Sequence, residues 1–350
     1  MRMKKIPVSI LGATGSVGQK FIQLLSNHPY FVIESLVASE RSAGKKFGDA
    51  VNWILPVPLP SEIASLVIKK TQETLSSKIL FSGLDSSIAG EVEEFYANKG
   101  HIIISNSKNH RFDEFVPLLI PEVNHEHLEL IRYQNYGGGA IITNPNCSTI
   151  GLAMSLKPII DNFGLSDVNV VTMQALSGAG YPGVSSLDIL DNVIPFISGE
   201  EEKLETEPKK IFGKYSEGKI EFSDLRISAQ CNRVAVMDGH LETVQVKLKN
   251  NVCHGDIIEV WKNFSGLPQK LNLPSAPKQP IYYFTEDNFP QPRIHRNIEN
   301  GMAVSIGRLR KCNIFDFKFS ILSHNTVRGA AGGSILCAEL LLEKEYMNAF

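Results

Sequence analysis

Cys147 lies in the run Asn-Pro-Asn-Cys-Ser-Thr at 144–149, between an apolar stretch and a helical pattern that Ser148 and Thr149 would start. A thiol at the first turn of a helix is favoured as thiolate by the unpaired N–H groups and the dipole there, and the same N–H groups can hold an oxyanion. The Asn146 side-chain amide could add one more donor. These are the needs of a sulfur nucleophile that carries an acyl group. Cys231, Cys253, Cys312 and Cys337 have no comparable setting. The nucleophile also needs a proton partner. His240 follows Gly239 at the end of an expected strand, a place that could present an imidazole to a cleft. By spacing alone His101, His110, His254 and His295 compete with it.

A second constellation lies at 12–18, Gly-Ala-Thr-Gly-Ser-Val-Gly. Gly12, Gly15 and Gly18 let the chain turn tightly, and Thr14, Ser16 and Val17 lead into a helix whose N–H groups can face a pyrophosphate. An NAD site places an acid about 20 residues beyond this turn, and Glu40 could serve. Ser39, Arg41, Ser42 and Lys45 surround it, however, and two cations with two hydroxyls suit the 2′-phosphate of NADP better.

These side chains need a frame. Residues 7–11 read as a short buried strand, Val17, Phe21, Leu24 and Leu25 recur at helical spacing, and 31–38 reads as the next strand. That is the strand–turn–helix–strand unit of a parallel sheet. Further buried strands are expected at 78–81, 101–105 and 140–143, with an acidic helix at 91–98. The helix opening at Cys147 should run to Phe163 and stop at Gly164, with a kink at Pro158. In the second half longer strands are expected at 168–175, 219–229, 233–236 and 243–249, while 200–207 is charge-rich without evident pattern. The last 25 residues return to a helix. The expected fold class is α/β: an N-terminal Rossmann-type dinucleotide-binding domain over 1–148, completed by 326–350, with an α+β catalytic and dimerisation domain over 149–325.

Composition narrows the classes. The net charge is −2 with cations scattered, which leaves no basic field for nucleic acid. The five cysteines form no CxxC pair, so neither a metal cluster nor a disulfide framework is expected, and free thiols suit the cytoplasm. The apolar N-terminal run is too short for a signal segment, and no apolar stretch of about 18 residues suggests a membrane span.

The chain resembles the aspartate-β-semialdehyde dehydrogenases of the archaeal and fungal branch. The likeness extends over essentially the whole sequence. It is carried by GATGSVG at 12–18, RSAGK at 41–45, SNS and HRF within 105–112, IPEVN at 120–124, NPNCST at 144–149, QALSGAGYPG at 174–183, RVAVMDGH at 233–240 and NTVRGAAGG at 325–333.

The resemblance implies a role for each matching position. Cys147 is the acyl-thioester nucleophile, His240 its acid/base partner, and Gln174 orients the acyl group. Arg233 binds the substrate carboxylate and Glu200 its ammonium, with Glu201 and Glu202 adjacent in register. Arg111 and Lys203, helped by Asn106, bind phosphate. Ser177 and Gly178 line the cofactor pocket, and Asn325 meets the nicotinamide amide. The implied reaction is reductive dephosphorylation of L-aspartyl 4-phosphate to the 4-semialdehyde with NADPH, in the branch leading to lysine, threonine and methionine. The implied partner is a second copy of the chain, as homodimer or homotetramer. A malonyl-CoA reductase of the same family is the rival activity. That branch lacks the Asn before the cysteine, so Asn146 favours the semialdehyde enzyme. A non-catalytic dinucleotide sensor would need the glycine turn but not Cys147, His240, Arg233 and Arg111.

Overall fold

Runs such as IIIS at 102–105 and AIIT at 140–143 have no polar face to show to water, so they can lie only in a sheet covered on both sides. The computed structural model, which describes residues 5–343, places them there. The first sheet consists of β1 (Ile6–Leu11), β2 (Phe31–Ala38), β3 (Lys69–Lys70), β4 (Ile79–Ser82), β5 (Ile102–Ser105) and β6 (Ala140–Thr143). All pairs are parallel, in the order β3-β2-β1-β4-β5-β6. This is the doubly wound order whose crevice lies at the carboxyl end of the strands, where the direction of winding reverses. Helix α1 (Ser16–Leu25) follows β1, and α2 (Ser86–Asn98) follows β4. The start of α2 lies five residues before the expected one because Asp85 caps it, its carboxylate accepting from the Ser87 N–H.

Helix α3 (Cys147–Phe163) leads from β6 into the second half and continues through Pro158 to its end at Gly164. The second sheet contains β7 (Leu165–Gln174), β10 (Arg226–Arg233), β11 (His240–Leu248), β12 (Ile281–Phe284), β13 (Val304–Lys311) and β14 (Phe317–Ser323). Its order is β10-β7-β11-β14-β13-β12. A separate hairpin, β8 (Lys214–Ser216) and β9 (Lys219–Glu221), stands apart. Burial alternates along β7 and β11, so one face packs on α3 while the other stays open.

Three expectations are corrected. The strand expected over 219–229 is two strands, one in the hairpin and one paired with β7. Arg233 ends β10 rather than beginning a strand, and His240 begins β11 rather than following one. The stretch 200–207 is the first part of a helix, α4 (Glu200–Ile211), with a buried side.

The final helix, α5 (Gly332–Glu343), puts Ile335, Leu336, Leu340 and Leu341 into the core that holds Val8, Ile10, Ile104 and Ile142. The chain therefore returns to the first sheet. The rest of the expected C-terminal segment, 344–350, and residues 1–4 lie outside the described residues. A second core, around Leu152, Leu156, Val244 and Phe319, fills the space between α3 and the second sheet.

Candidate active site

The turn after β1 shows why glycine is needed there. Gly12 has φ +76°, and a Cβ on it would stand 2.7 Å from the Gly83 carbonyl oxygen. A Cβ on Gly18 would collide with the Gly12 carbonyl. The first strand, the turn and α1 thus approach one another more closely than any side chain allows. From this turn a cleft of about 400 Å³ runs to the start of α3. Ser16 and Val17 line one end, Asn325, Ser177 and Gly178 one wall, and Asn106, Arg111, Asn146, Cys147, Glu200 and Lys203 the other end. The start of α1, just after the glycine turn, and Cys147 therefore line one and the same cleft. Gly12, Thr14, Gly15, Ser39, Arg41 and Ser42 are not in the lining; the last three follow β2, of which Ser35, Leu36 and Val37 pair with β1. Arg41 and Ser39 are exposed and Ser42 is buried.

Cys147 is the first residue of α3 and is half-buried. Asn146, not Ser148 or Thr149, starts the helix: its Oδ1 accepts from the Ser148 N–H at 3.0 Å and the Thr149 N–H at 3.4 Å. Its amide nitrogen donates to both carboxylate oxygens of Glu200, at 2.8 and 3.1 Å. The two oxygens of one carboxylate lie in nearly the same direction from this nitrogen, so one amide N–H serves both and the other is left for a further acceptor. The Sγ of Cys147 is 3.1 Å from Nε2 of His240. On the other side of the ring, Nδ1 accepts the backbone N–H of Ala175 at 3.0 Å. A neutral imidazole accepting at Nδ1 carries its proton on Nε2, so the ring offers a donor to sulfur. His101, His110, His254 and His295 make other contacts.

Electrostatics depart from the expectation of an acidified thiol. Burial, and then the Glu200 carboxylate, push Cys147 up to about 12, against the pull of Lys203, Arg111 and Arg233. Burial, reinforced by Arg233, lowers His240 to about 3. Desolvation is the first cause of both shifts.

Sheet register assembles the remaining groups. Arg233 pairs with Gln174 and His240 with Ser323, so the ends of β10, β7, β11 and β14 present four buried side chains beside α3. Gln174 donates to Glu200 at 3.2 Å, and Lys203 donates to the same carboxylate at 2.6 Å. Burial alone would raise Glu200, but Lys203 and the bonds from Lys203, Asn146 and Gln174 hold it below the usual carboxylate range. Helix phase separates the three adjacent glutamates. Glu200 faces the cleft, Glu201 accepts from the Cys231 N–H, and Glu202 is exposed. Arg233 is 5% exposed and donates to the Ala175 carbonyl at 2.6 Å. Gly178 is where a side chain would strike Arg233 and His240, at 2.9 and 3.1 Å from a Cβ. Asn325 joins two loops, accepting from the Gly239 N–H and donating to the Ser177 hydroxyl, both at 2.8 Å. Asn106 accepts from the Asn144 amide at 3.1 Å, and Arg111 pairs with Glu207 at 2.7 Å.

Glu207, Lys210, Ala175 and Asn144 escaped the sequence reading. Glu200, Lys203, Glu207 and Lys210 fall at spacings of three, four and three, the period of one helical face, and that is the signal by which α4 and its inward side are found in the sequence. The Ala175 contacts, and the one in which the Asn144 carbonyl accepts from Arg111, use backbone atoms, which no residue type announces.

A dinucleotide crevice that opens onto a cysteine at a helix start defines the class: a nicotinamide-dependent dehydrogenase. Residues 7–131 match the model of the semialdehyde dehydrogenase NAD binding domain, and residues 156–328 that of the semialdehyde dehydrogenase dimerisation domain. The chain belongs to the aspartate-semialdehyde dehydrogenase family. It is 50% identical to the aspartate-semialdehyde dehydrogenase of Schizosaccharomyces pombe, over 99% of this chain and 100% of the relative. It is also 50% identical to that of Archaeoglobus fulgidus, over 97% and 98%. A crystal structure of the Candida albicans aspartate semialdehyde dehydrogenase with NADP superposes with a TM-score of 0.91 at 42% identity, covering 97% of this chain and 99% of that one. The match to a dimerisation domain marks the chain as a subunit of a homo-oligomer. Among the described residues no helix is long and apolar enough to cross a membrane.

Proposed function

We propose that this chain is an NADP-dependent aspartate-semialdehyde dehydrogenase that makes the semialdehyde from L-aspartyl 4-phosphate, in the branch leading to lysine, threonine and methionine. The observation that carries the reading is the Cys147–His240 contact of 3.1 Å, set against a carboxylate whose other partners are Asn146, Gln174 and Lys203. Arg233 takes the substrate carboxylate as a fork, and Glu200 takes its ammonium. Arg111 and Lys203, with Asn106, take the phosphate. Cys147 Sγ attacks the acyl carbon, the carbon–oxygen bond to phosphate breaks, phosphate leaves with the bonding pair and takes up the thiol proton, and a thioester forms. NADPH, held by the turn at 12–18 and by Ser39, Arg41 and Ser42, supplies hydride to that carbon. Sulfur then leaves as the carbonyl re-forms. His240, donating from Nε2, favours negative charge on sulfur at the start and the end of this cycle. Gln174 and Asn146 act by holding Glu200 and the start of α3 in place.

The minimal assembly is a homodimer built on the open face of the second sheet, where Thr243 and Lys247 are exposed, with a homotetramer as a pair of such dimers. The free cysteines support a cytoplasmic setting. The test is NADP reduction by the purified protein with aspartate semialdehyde, with and without phosphate, beside NADPH oxidation with malonyl-CoA. Phosphate-dependent turnover of the semialdehyde is expected. A faster reaction with malonyl-CoA, or a semialdehyde rate indifferent to phosphate, would show the substrate assignment to be wrong.

A further inference from the structure

Helix α4 carries a further carboxylate behind the lining of the cleft. Glu207, two turns beyond Glu200 and 1% exposed, divides its carboxylate between two loops. One oxygen accepts from Nη1 of Arg111 at 2.7 Å, and the other accepts from the backbone N–H of Asn146 at 2.8 Å. Asn146 caps the helix that begins with the nucleophile. A single carboxylate therefore ties the guanidinium at the polar end of the cleft to the residue that aims Cys147. Arg111 is held on two more sides, its Nε donating to the Asn144 carbonyl at 3.1 Å and its Nη2 to that of Asn106 at 2.9 Å. Three of the five N–H groups of a guanidinium are thereby used, and one on each terminal nitrogen is left for an anion. Lys210 fixes the same loop from behind, donating to the carbonyls of Arg111, Asp113 and Val116 at 2.8, 2.9 and 2.8 Å.

We propose that Glu207 is a positioning residue for the reaction: it sets the direction in which Arg111 offers its N–H groups to phosphate, and it anchors the cap that aims Cys147. The proposal rests on the reading of Arg111 as a phosphate ligand. A buried guanidinium needs a counter-charge, and its fork is useful only when its direction is fixed. Glu207→Gln keeps the volume but turns an NH2 group toward one of two donors, so either Arg111 or the Asn146 N–H loses its acceptor.

The experiment varies inorganic phosphate in the NADP-reducing direction for the full-length wild type, Glu207→Gln, Arg111→Ala and the double variant, and follows alkylation of Cys147 by iodoacetamide. Glu207→Gln should raise the phosphate KM about tenfold or more, the scale of a lost charge-assisted contact. The semialdehyde KM should change little. In the Arg111→Ala background the same substitution should add almost nothing to the phosphate KM, because the contact is already gone, yet it should still lower kcat and slow alkylation through Asn146. A phosphate KM that is unchanged or lowered, or one that rises equally in both backgrounds, overturns the proposal while the wild type remains phosphate-dependent. A wild type indifferent to phosphate overturns the Arg111 reading itself. If Glu207→Gln fails to fold, Glu207→Asp takes its place: it keeps the charge but is too short for both loops, and the same split between backgrounds is expected.

Discussion

The Sγ of Cys147 stands 3.1 Å from Nε2 of His240, and the far side of the ring is held by the Ala175 N–H at 3.0 Å. The contact joins the first residue of α3 to the first residue of β11, 93 positions apart in sequence. Because Nδ1 is an acceptor, the ring can present only a donor to sulfur while it stays neutral. Cys147→Ser should abolish turnover and leave NADP binding nearly intact, since an alcohol of much higher pKa lacks thiolate reactivity. Steady-state rates and a fluorescence titration with NADPH check this. Activity within about tenfold of wild type would rule out a covalent thiol route, because loss of an activated nucleophile costs far more.

Arg41 is exposed just beyond β2, where a 2′-phosphate would arrive. Arg41→Ala should weaken NADP binding by about ten- to a hundredfold, the value of a charge-assisted bond of roughly 1.5–3 kcal/mol, and should leave NAD binding nearly unchanged. Dissociation constants for the two cofactors decide it; equal weakening would mean that Arg41 does not read the phosphate.

Arg233, buried between the Ala175 carbonyl and Gly178, offers the fork that suits a carboxylate. Lys at this position keeps the charge and loses the fork. Arg233→Lys should lower kcat/KM for the semialdehyde by roughly tens- to a thousandfold. The phosphate KM should stay close to wild type, and a loss confined to phosphate would exchange the roles given to Arg233 and Arg111.

Asn146 both caps α3 and holds Glu200. Asn146→Ala should destabilise the fold by about 0.5–2 kcal/mol, the usual value of an N-cap. It should also raise the KM for the semialdehyde, because Glu200 loses its amide donor. Denaturant unfolding beside steady-state kinetics separates the two effects. A variant with normal stability and normal KM would deny Asn146 both functions.

His240 gives a pH prediction whose sign follows from its lowered value. Its folded-state value is about 3, against about 6.5 when unfolded. Between these values the unfolded chain binds the proton and the folded chain does not, so stability rises with pH across this window and gains nothing more above it. The slope from one such group reaches about 1.4 kcal/mol per pH unit. Buried His324, lowered to about 4, works in the same direction. Urea unfolding between about pH 4.5 and 7.5 should therefore show stability lost on acidification, and His240→Asn should flatten the slope by up to one proton. An unchanged slope would mean that the ring is already charged in the folded enzyme.

Local features were legible in the residues themselves. The turn at 12–18, the strands at 31–38 and 140–143, and the helix from Cys147 to Gly164 depend on neighbours in sequence: glycines where φ is positive or side chains do not fit, and unbroken apolar runs, although the cap of that helix is Asn146 and not the expected Ser148 or Thr149. The strand boundaries around 219–249 were not legible, because β10 exists through its pairing with β7 and β11 through β14 and β7. The same dependence on distant partners selected His240 from nine histidines, Glu200 from three adjacent glutamates, and the Glu207 bridge from a stretch that read only as charge. It also reversed the expected sense of the Cys147 shift. A helix terminus acts within one turn and can be read from sequence, whereas desolvation and the field of Glu200 come from chain segments that only folding brings to the sulfur.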